Sequence, residues 1–320
     1  MDRSLFIASL AAATAPQIVP RRTEELQPLR AAIGQRGAWD TMIVPQGVEE
    51  GIFRRAGLDV QPTFTAGGSD TLQAVTTGSA DVGIGVGTTG AIGAFAKGAP
   101  LRIISGEFTG ASDIFFYVRA DSSIRSMAQM QGRTLGFSRP GSSSFIAAHL
   151  LATRANVVPS FVPSGETAAT FTQVMSGQLD AGWAVPPLVL DALRDGKVRI
   201  LARASELPDL RHQTIRVNVA NATYARDRHD LLARFVGAYR ETVAWMYRDR
   251  RAALARYARY NGIAPAIAAD ALGFYPQAAV ATLSIAGFRR SLDDALAYKN
   301  ITKPLDADQV RDLFDVVYTR

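Results

Sequence analysis

Thr71–Thr88 reads TLQAVTTGSADVGIGVGT. Its first part, Thr71 to Thr76, has the spacing of an amphipathic helix, and Gly78 stops it, because glycine takes a positive φ without steric cost. Asp81 follows, then Val82–Val86, a run too short for a helix and too apolar for a loop, which reads as a buried parallel strand. The stretch recurs at a constant shift of 99 residues as Thr170–Gly182, TFTQVMSGQLDAG. Thr71, Val75, Gly78, Asp81 and Gly83 fall on Thr170, Val174, Gly177, Asp180 and Gly182, and the same register sets Ala56 on Ala155 and Leu58 on Val157. A match that runs on into neighbouring elements is a stronger sign of duplication than the matched positions alone. The expectation is two α/β lobes of similar build, one after the other.

With 320 residues the chain is long enough for two domains with real cores. Apolar content of 48% and charged content of 20% are those of a globular protein. The net charge is +6, but the basic residues are scattered in short groups such as Arg21-Arg22, Arg54-Arg55 and Arg248 with Arg250-Arg251. No basic run carries interleaved aromatics, so no nucleic-acid partner is expected. The absence of cysteine removes disulfides, thiolate nucleophiles, zinc-thiolate sites and lipoprotein attachment. With His149, His212 and His229 as its whole histidine content, the chain offers no histidine metal cluster, and neither metal nor cofactor is expected.

The N-terminus combines Met1-Asp2-Arg3, an apolar run Leu5–Ala13 and the A-x-A site Ala13-Thr14-Ala15. Residues 1–20 therefore read as a secretory signal, with the run too short to span a bilayer. Pro16 and Arg21-Arg22 are atypical after such a site, and the alternative is a plain N-terminal extension.

Leu29–Gly34 (LRAAIG) reads as the first strand and Gln35–Asp40 (QRGAWD) as a loop. Val44 to Ala56 is helical, with Val48, Ile52 and Phe53 on one face. Leu58–Phe64 is the second strand, and Pro62 within it suits an edge or a bend. Ala66–Asp70 (AGGSD) is a loop ending in two N-cap residue types. After the central helix and strand, Gly87-Thr88-Thr89 opens a third helix through Ala96, and Leu101–Ser105 is the fourth strand. Strands alternating with helices mean parallel β-α-β units. Glu107–Asp113 (EFTGASD) breaks the pattern before the β-rich Ile114–Val118, the first crossing between lobes. Arg133–Ser138 opens lobe two. A helix Phe145–Arg154, a strand near Val157–Val162, the repeated helix and strand, Pro186-Pro187, a helix to Arg194 and the strand Val198–Arg203 follow. Thr214–Val219 (TIRVNV) alternates cleanly and returns the chain to lobe one. From Ala222 on the pattern is helical, with Leu231–Tyr247 the longest element, and these helices are expected to pack back on lobe one. The division expected is 27–110 plus 217–320 for lobe one and 111–216 for lobe two.

In open α/β sheets a ligand binds beyond the carboxyl ends of the strands, where helix N-termini point. Those ends are QRGAWD, AGGSD, GVGTT, RPGSSS, PSGET and WAVPP. Glycine lets backbone N–H groups come close, serine and threonine add donors, and a helix N-terminus favours negative charge. Gly141-Ser142-Ser143-Ser144 is the most pointed instance, though a plain N-cap would look the same. It is neither a Walker loop, lacking the lysine, nor a G-x-S-x-G elbow. His149 lies more than a turn along the same helix, so no serine–histidine dyad follows. Trp39 and Trp183 each end a strand, one per lobe, and serve either as flat walls for a small ligand or as core. Trp245, within a helix, is packing. Arg139 either pairs with an anion or faces solvent. Glu107 is a candidate for a ligand ammonium. Asp81 and Asp180 cap or turn the chain.

The pattern GIFRRAGLDV, AGGSDTLQAVTTGSADVGIGVG, KGAP, GRTLGFSRPGSSS and MSGQLDAGW resembles the substrate-binding proteins of nitrate/sulfonate/taurine-type ABC importers. The likeness runs over nearly all of Leu29 to Arg320, including PLDADQV. It implies a type II periplasmic-binding-protein fold: two Rossmann-like lobes joined by two crossover strands, with extra C-terminal helices. By position it carries ligand contacts onto Gln35, Trp39, Gly68, Ser69, Thr88, Ser142, Ser143 and Trp183. The related pyrimidine synthases of thiamine biosynthesis look similar in fold but need a cysteine cluster and an active-site histidine, and this chain has no cysteine.

The function expected is therefore capture of a small organic anion, sulfonate-like by preference, by a monomeric periplasmic protein serving an ABC permease and its ATPase subunits. No enzymatic activity is expected. Capture near micromolar affinity needs about −8 kcal/mol. Hydrogen bonds to a charged ligand contribute roughly 1.5–3 kcal/mol each. Several donors, less the loss of ligand freedom, reach that figure without a catalytic group. The rivals are a synthase-like enzyme, a secreted sensor or scavenger without an importer, and a LysR-type effector module. For the last, the stretch before Leu29 is too short to hold a helix-turn-helix.

Overall fold

The computed structural model of the chain describes residues 25–281 and 284–315, so the expected signal at 1–20 lies outside the described residues. Lobe one begins with β1 (Gln27–Gly34), a 3₁₀ turn at Asp40–Met42, α1 (Ile43–Glu49), α2 (Ile52–Arg55), β2 (Leu58–Thr65), α3 (Gly68–Thr76), β3 (Val82–Gly87), α4 (Thr88–Ala96) and β4 (Leu101–Thr109). The single helix expected over 44–56 is two, because Gly51 takes φ 71° between them. The chain then crosses into lobe two as β5 (Phe115–Arg119), followed by β6 (Thr134–Phe137), α5 (Ser143–Arg154), β7 (Ser160–Pro163), α6 (Thr167–Met175), β8 (Gly182–Ala184), α7 (Leu190–Arg194) and β9 (Val198–Arg203). It returns as β10 (Thr214–Asn221) and ends in α8 (Ala222–Asp227), α9 (His229–Arg248), α10 (Arg250–Asn261), α11 (Pro265–Leu272), α12 (Gln277–Ala281), α13 (Phe288–Ala297) and α14 (Ala307–Leu313).

The first sheet has the order β2-β1-β3-β10-β4, with β1 parallel to β2 and β3, and β10 antiparallel to β3 and β4. In lobe two β5 is antiparallel to both β8 and β9, while β6 pairs in parallel with β7. A parallel bridge between Leu135 and Ala181 sets β6 beside the approach to β8. The spatial order is then β7-β6-β8-β5-β9, the order of lobe one. In each lobe the antiparallel strand is the one delivered by a crossing, β5 directly after β4 and β10 directly after β9. The whole of β10 pairs within the first sheet from Thr214 onward, so the boundary expected between 216 and 217 falls inside this strand. Pro62 sits on β2, an edge strand, where its missing N–H leaves no ladder bond unmade.

The sequence repeat is realised in matching contacts. Thr71 Oγ1 lies 2.7 Å from Thr65 Oγ1, and Thr170 Oγ1 2.7 Å from Ser164 Oγ. Asp81 accepts from the Arg30 backbone N–H, tying β1 to the segment before β3, and Asp180 from that of Thr134, tying β6 to the segment before β8. A Cβ on Gly83 would stand 2.8 Å from Val75 Cγ2 and 2.9 Å from Thr71 Cγ2; one on Gly182 would stand 2.7 Å from Val174 Cγ2 and 2.8 Å from Thr170 Cγ2. Those neighbours are β-branched and stiff at χ1. Gly83→Ala and Gly182→Ala are each expected to lower stability by about 1–3 kcal/mol through overpacking. Denaturant unfolding measures this, and an unchanged midpoint for either variant contradicts it.

Buried side chains form one large cluster that runs through both lobes beneath α9, and a smaller cluster on the other face of each sheet. Most C-terminal helices lie on lobe one as expected, α9 against α1, α2 and β2, and α13 against α4. They also reach lobe two: α11 contacts α7, Arg194 pairs with Asp270 at 2.6 Å, and the Tyr275 hydroxyl donates to the Pro186 carbonyl at 2.9 Å.

Candidate functional site

Between the lobes lies a small cavity of about 50 Å³. It sits at the carboxyl ends of β1, β3, β6 and β8, where Gln35, Gly87, Ser138 and Val185 line it. Glycine lets the first turn of α3 enter this space. A Cβ on Gly68 would stand 2.7 Å from the Gly85 carbonyl oxygen, and one on Gly34 3.0 Å from the Gly68 nitrogen. Both obstacles are backbone, which cannot step aside.

The serines opening α5 are tied to one another and to the backbone around the cavity. Ser142 Oγ accepts from the Phe145 N–H at 3.2 Å and lies 3.1 Å from Ser144 Oγ, which accepts from the Ser138 N–H at 3.0 Å. Among the described residues the Ser143 hydroxyl has no hydrogen-bond partner, nor do the N–H groups of Ser143 and Ser144, the first two residues of α5. These orphan donors, at the positive end of a twelve-residue helix, face an anion-sized space.

A buried charge cluster forms another wall. Arg216 on β10 donates through Nε to Glu107 at 3.0 Å, and through Nη2 to Asp40 at 2.7 Å and Asp113 at 2.8 Å. Its guanidinium also lies 4.4 Å from the Phe108 ring centroid. Asp40, Asp113 and Arg216 line the cavity, whereas the fully buried Glu107 does not. Burial, with Asp40 nearby, holds the Glu107 carboxyl well above the usual carboxylate range despite the guanidinium. Burial also raises Asp113 to about 6. For Arg216, burial opposes the charge, but Asp113, Asp40 and Glu107 together hold it well above its ordinary value. Because Asp113 takes its proton more readily folded than unfolded, its contribution to stability is largest below pH 4 and is lost as the pH rises through about 6. Relative to Asp113→Asn, the unfolding free energy of the native chain is expected to fall by about 2–3 kcal/mol from pH 4 to pH 7. Chemical denaturation across that range tests it, and a flat or rising difference contradicts it.

Of the residues singled out in the sequence, Gln35, Gly68, Ser142, Ser143 and Trp183 come together around the cavity. The others do not line it. Trp39 is fully buried, edge-on to Tyr257 at 5.1 Å and Tyr247 at 6.1 Å, because the 3₁₀ turn it precedes rotates it into the core and brings Asp40 to the cavity instead. The Thr88 hydroxyl is committed to the Thr214 carbonyl at 2.7 Å. Ser69 lies one residue beyond the lining stretch of α3, and half-exposed Arg139 pairs with Asp70 at 3.3 Å, from lobe two to lobe one. Glu107 faces Arg216 rather than open space, so the ammonium role considered for it falls. His149 stacks on Phe161 at 3.8 Å against Phe145 and Tyr298, with burial lowering it to about 4, and it takes no part in the cavity. Asp40, Asp113 and Arg216 were missed. Arg216 was the legible one: a charged residue in the polar phase of a strand placed centrally in a sheet must be buried and paired.

The lobes are in close contact at the cavity. Gln35 Nε2 donates to Thr167 Oγ1 at 2.9 Å across the cleft, and a Cβ on Gly87 would stand 2.4 Å from the Gly141 carbonyl oxygen.

Comparison with solved structures finds this architecture elsewhere. The chain is similar to the alkanesulfonate-binding protein SsuA from Xanthomonas axonopodis pv. citri bound to MOPS, with 20% identity, a TM-score of 0.74 and coverage of 92% of this chain and 96% of that one. It is similar to the periplasmic aliphatic sulphonate binding protein SsuA from Escherichia coli, with 22% identity, a TM-score of 0.69 and coverage of 88% and 91%. It is also similar to the desulfurization enzyme DSZB, with 16% identity, a TM-score of 0.61 and coverage of 88% and 95%. No curated protein sequence matches the chain. At these identities the likeness establishes the fold, the type II periplasmic-binding-protein fold with its two Rossmann-like lobes, two crossover strands and added C-terminal helices. A family profile described as NMT1/THI5 like matches residues 42–253, from the turn after β1 into α10, and the chain belongs to the NMT1/THI5-like family.

Proposed function

We propose that this protein is the substrate-binding component of an ABC importer, which closes on a small organic anion and presents it to a permease and its ATPase subunits. The observation that carries the proposal is the set of unpaired donors at the start of α5, Ser143 Oγ with the Ser143 and Ser144 N–H groups, beside a cavity walled by both lobes. Three oxygens on one tetrahedral head suit such a set, which favours a sulfonate over a flat acid. The fold shared with two sulfonate-binding proteins supports the same choice. The working units are lobe one, 27–110 with β10 and the C-terminal helices from Thr214 on, and lobe two between them, and the protein acts as a periplasmic monomer. The likeness to a desulfurization enzyme names the rival, turnover of the captured molecule. Against it stand the absence of cysteine and the distance of His149 from the cavity lining.

Thermal unfolding of the purified protein with sulfonates, nitrate, carboxylates and pyrimidines tests the proposal, together with mass spectrometry of any co-purified molecule. At a hundred times the dissociation constant a ligand adds about 2.7 kcal/mol, so a cognate sulfonate is expected to raise the midpoint by several degrees. Ser142→Ala with Ser143→Ala is expected to weaken that ligand at least tenfold, since each charge-assisted bond contributes about 1.5–3 kcal/mol. Stabilisation by no anion and no co-purified molecule contradicts the proposal, and conversion of the ligand to product favours the rival.

A further inference from the structure

The chain leaving α13 touches both lobes. On lobe one, α13 packs on α4, Ile301 joins the smaller buried cluster of that lobe, and a Cβ on Gly93 would stand 3.0 Å from the Asn300 carbonyl oxygen. On lobe two, a Cβ on Gly141 would stand 3.1 Å from Asn300 Nδ2. The Tyr298 ring lies 4.9 Å from that of His149 and 6.2 Å from that of Phe145, both on α5, and Thr153 sits by the Tyr298 hydroxyl. Phe145, His149 and Thr153 are four apart, so they form one face of α5, and that face meets lobe one. Lys299, between Tyr298 and Asn300, takes φ 61°, a conformation usual for glycine at a helix end and costly for lysine. None of these side chains lines the cavity.

We infer that Tyr298 is a positioning residue: by packing on His149 it clamps α5 against lobe one, and protonation of His149 loosens the clamp. The first turn of α5 faces the cavity, so what fixes α5 also fixes the donors there. The inference needs only lobes that part and close, and it stands apart from the identity of the guest.

His149 is enclosed by Phe145 from its own helix, by Phe161 at 3.8 Å from β7 and by Tyr298 from lobe one. A histidine that only filled lobe two would find its walls within that lobe. Of the three neighbours only Tyr298 titrates, and burial raises it. The charged groups acting on Tyr298 are Asp294, Arg290 and Asp209, and none acts on His149, which burial alone lowers to about 4. The rings attract a cation weakly, and desolvation outweighs that attraction. When Tyr298 withdraws, water reaches the imidazole and its ordinary value near 6.5 returns. The parted form then binds a proton more readily than the closed form. Closure is therefore undiminished above about pH 6.5 and weakens as the pH falls towards about 4.

Two measurements on the ligand-free chain test this. The first is a proton NMR titration of the three imidazoles, with His149→Phe identifying the His149 signal. Tyr298→Ala is expected to raise the proton affinity of His149 at least threefold. The second is the separation of the lobes at pH 7.5 and pH 5, from spin labels on cysteines introduced at Arg54 and Val158. The ratio of short to long distances is expected to fall at least threefold more in the native chain than in His149→Phe, which keeps a ring at the contact and cannot titrate. Asp113, raised to about 6, titrates over the same range in both proteins, so the comparison removes its share. Unchanged proton affinity in Tyr298→Ala overturns the assignment to Tyr298. An equal change in both labelled proteins, or none in either, overturns the clamp. The measurements use different variants, so one decides even if the other's variant does not fold. Neither uses a ligand, so the anion proposal and this inference can fail separately.

Discussion

Arg216→Met is expected to lower the free energy of unfolding by about 3–5 kcal/mol at pH 7, the loss typical when one partner of a buried ion network is removed. Asp40, Glu107 and Asp113 are each 1% exposed or less, and the guanidinium bonds to all three. Without it they remain in the interior with no counter-charge, and the contact with Phe108 is lost as well. The loss has a pH signature. In the variant Glu107 and Asp113 are held above their unfolded values by burial, with no cation to draw them down, so the folded chain binds protons that the unfolded chain does not. Stability is then recovered as the pH falls, and the deficit at pH 5 is expected to be smaller than at pH 7. Denaturant unfolding at the two values measures it; a deficit below 1 kcal/mol, or one that does not change with pH, contradicts the role given to the cluster.

Gly87→Ala should act on binding rather than on folding. Gly87 has φ −58° and ψ 128°, which alanine adopts freely, so the backbone does not object. The obstacle is the other lobe: the added Cβ would stand 2.4 Å from the Gly141 carbonyl oxygen and 3.2 Å from Ser142 Cα and the Ser143 nitrogen. Parted lobes relieve the clash, and the ligand-free chain is expected to keep its stability within about 1 kcal/mol. Ligand affinity is expected to fall at least tenfold, because a guest stabilises the closed arrangement and that arrangement is now strained. Titration calorimetry beside an unfolding curve separates the two effects. Native affinity in the variant means that closure at this contact is not needed for capture.

The duplicated framework was legible because each lobe uses the same device, a glycine on the third strand under a threonine and a valine of the preceding helix. Thr71, Val75 and Gly83, and Thr170, Val174 and Gly182, occupy those places, and sequence spacing records them directly. The donor end of the cavity was legible for a similar reason: GSSS before a helical run is local chemistry. The charged wall was not, because Asp40, Asp113 and Arg216 are 73 and 103 residues apart along the chain and meet only when the crossings bring β10 back beside β3 and β4. Trp39 shows the limit of placing a side chain by strand end alone. One 3₁₀ turn decides whether it or Asp40 faces the ligand space, and the apolar residue goes where Tyr247 and Tyr257 bury it.

Two lobes shutting on a charged guest predict a change in the distance between them, and the chain suits that measurement because it has no cysteine of its own. Spin labels on cysteines introduced at exposed Arg54 in lobe one and at Val158 in lobe two, itself 69% exposed, report the separation by pulsed dipolar spectroscopy. The probe is propane-1-sulfonate, added to the native chain and to Gly87→Ala. Capture by closure predicts that a bound probe collapses the native distribution to one short distance, while the variant stays at a longer one. Identical distributions with and without bound probe, in both proteins, contradict it.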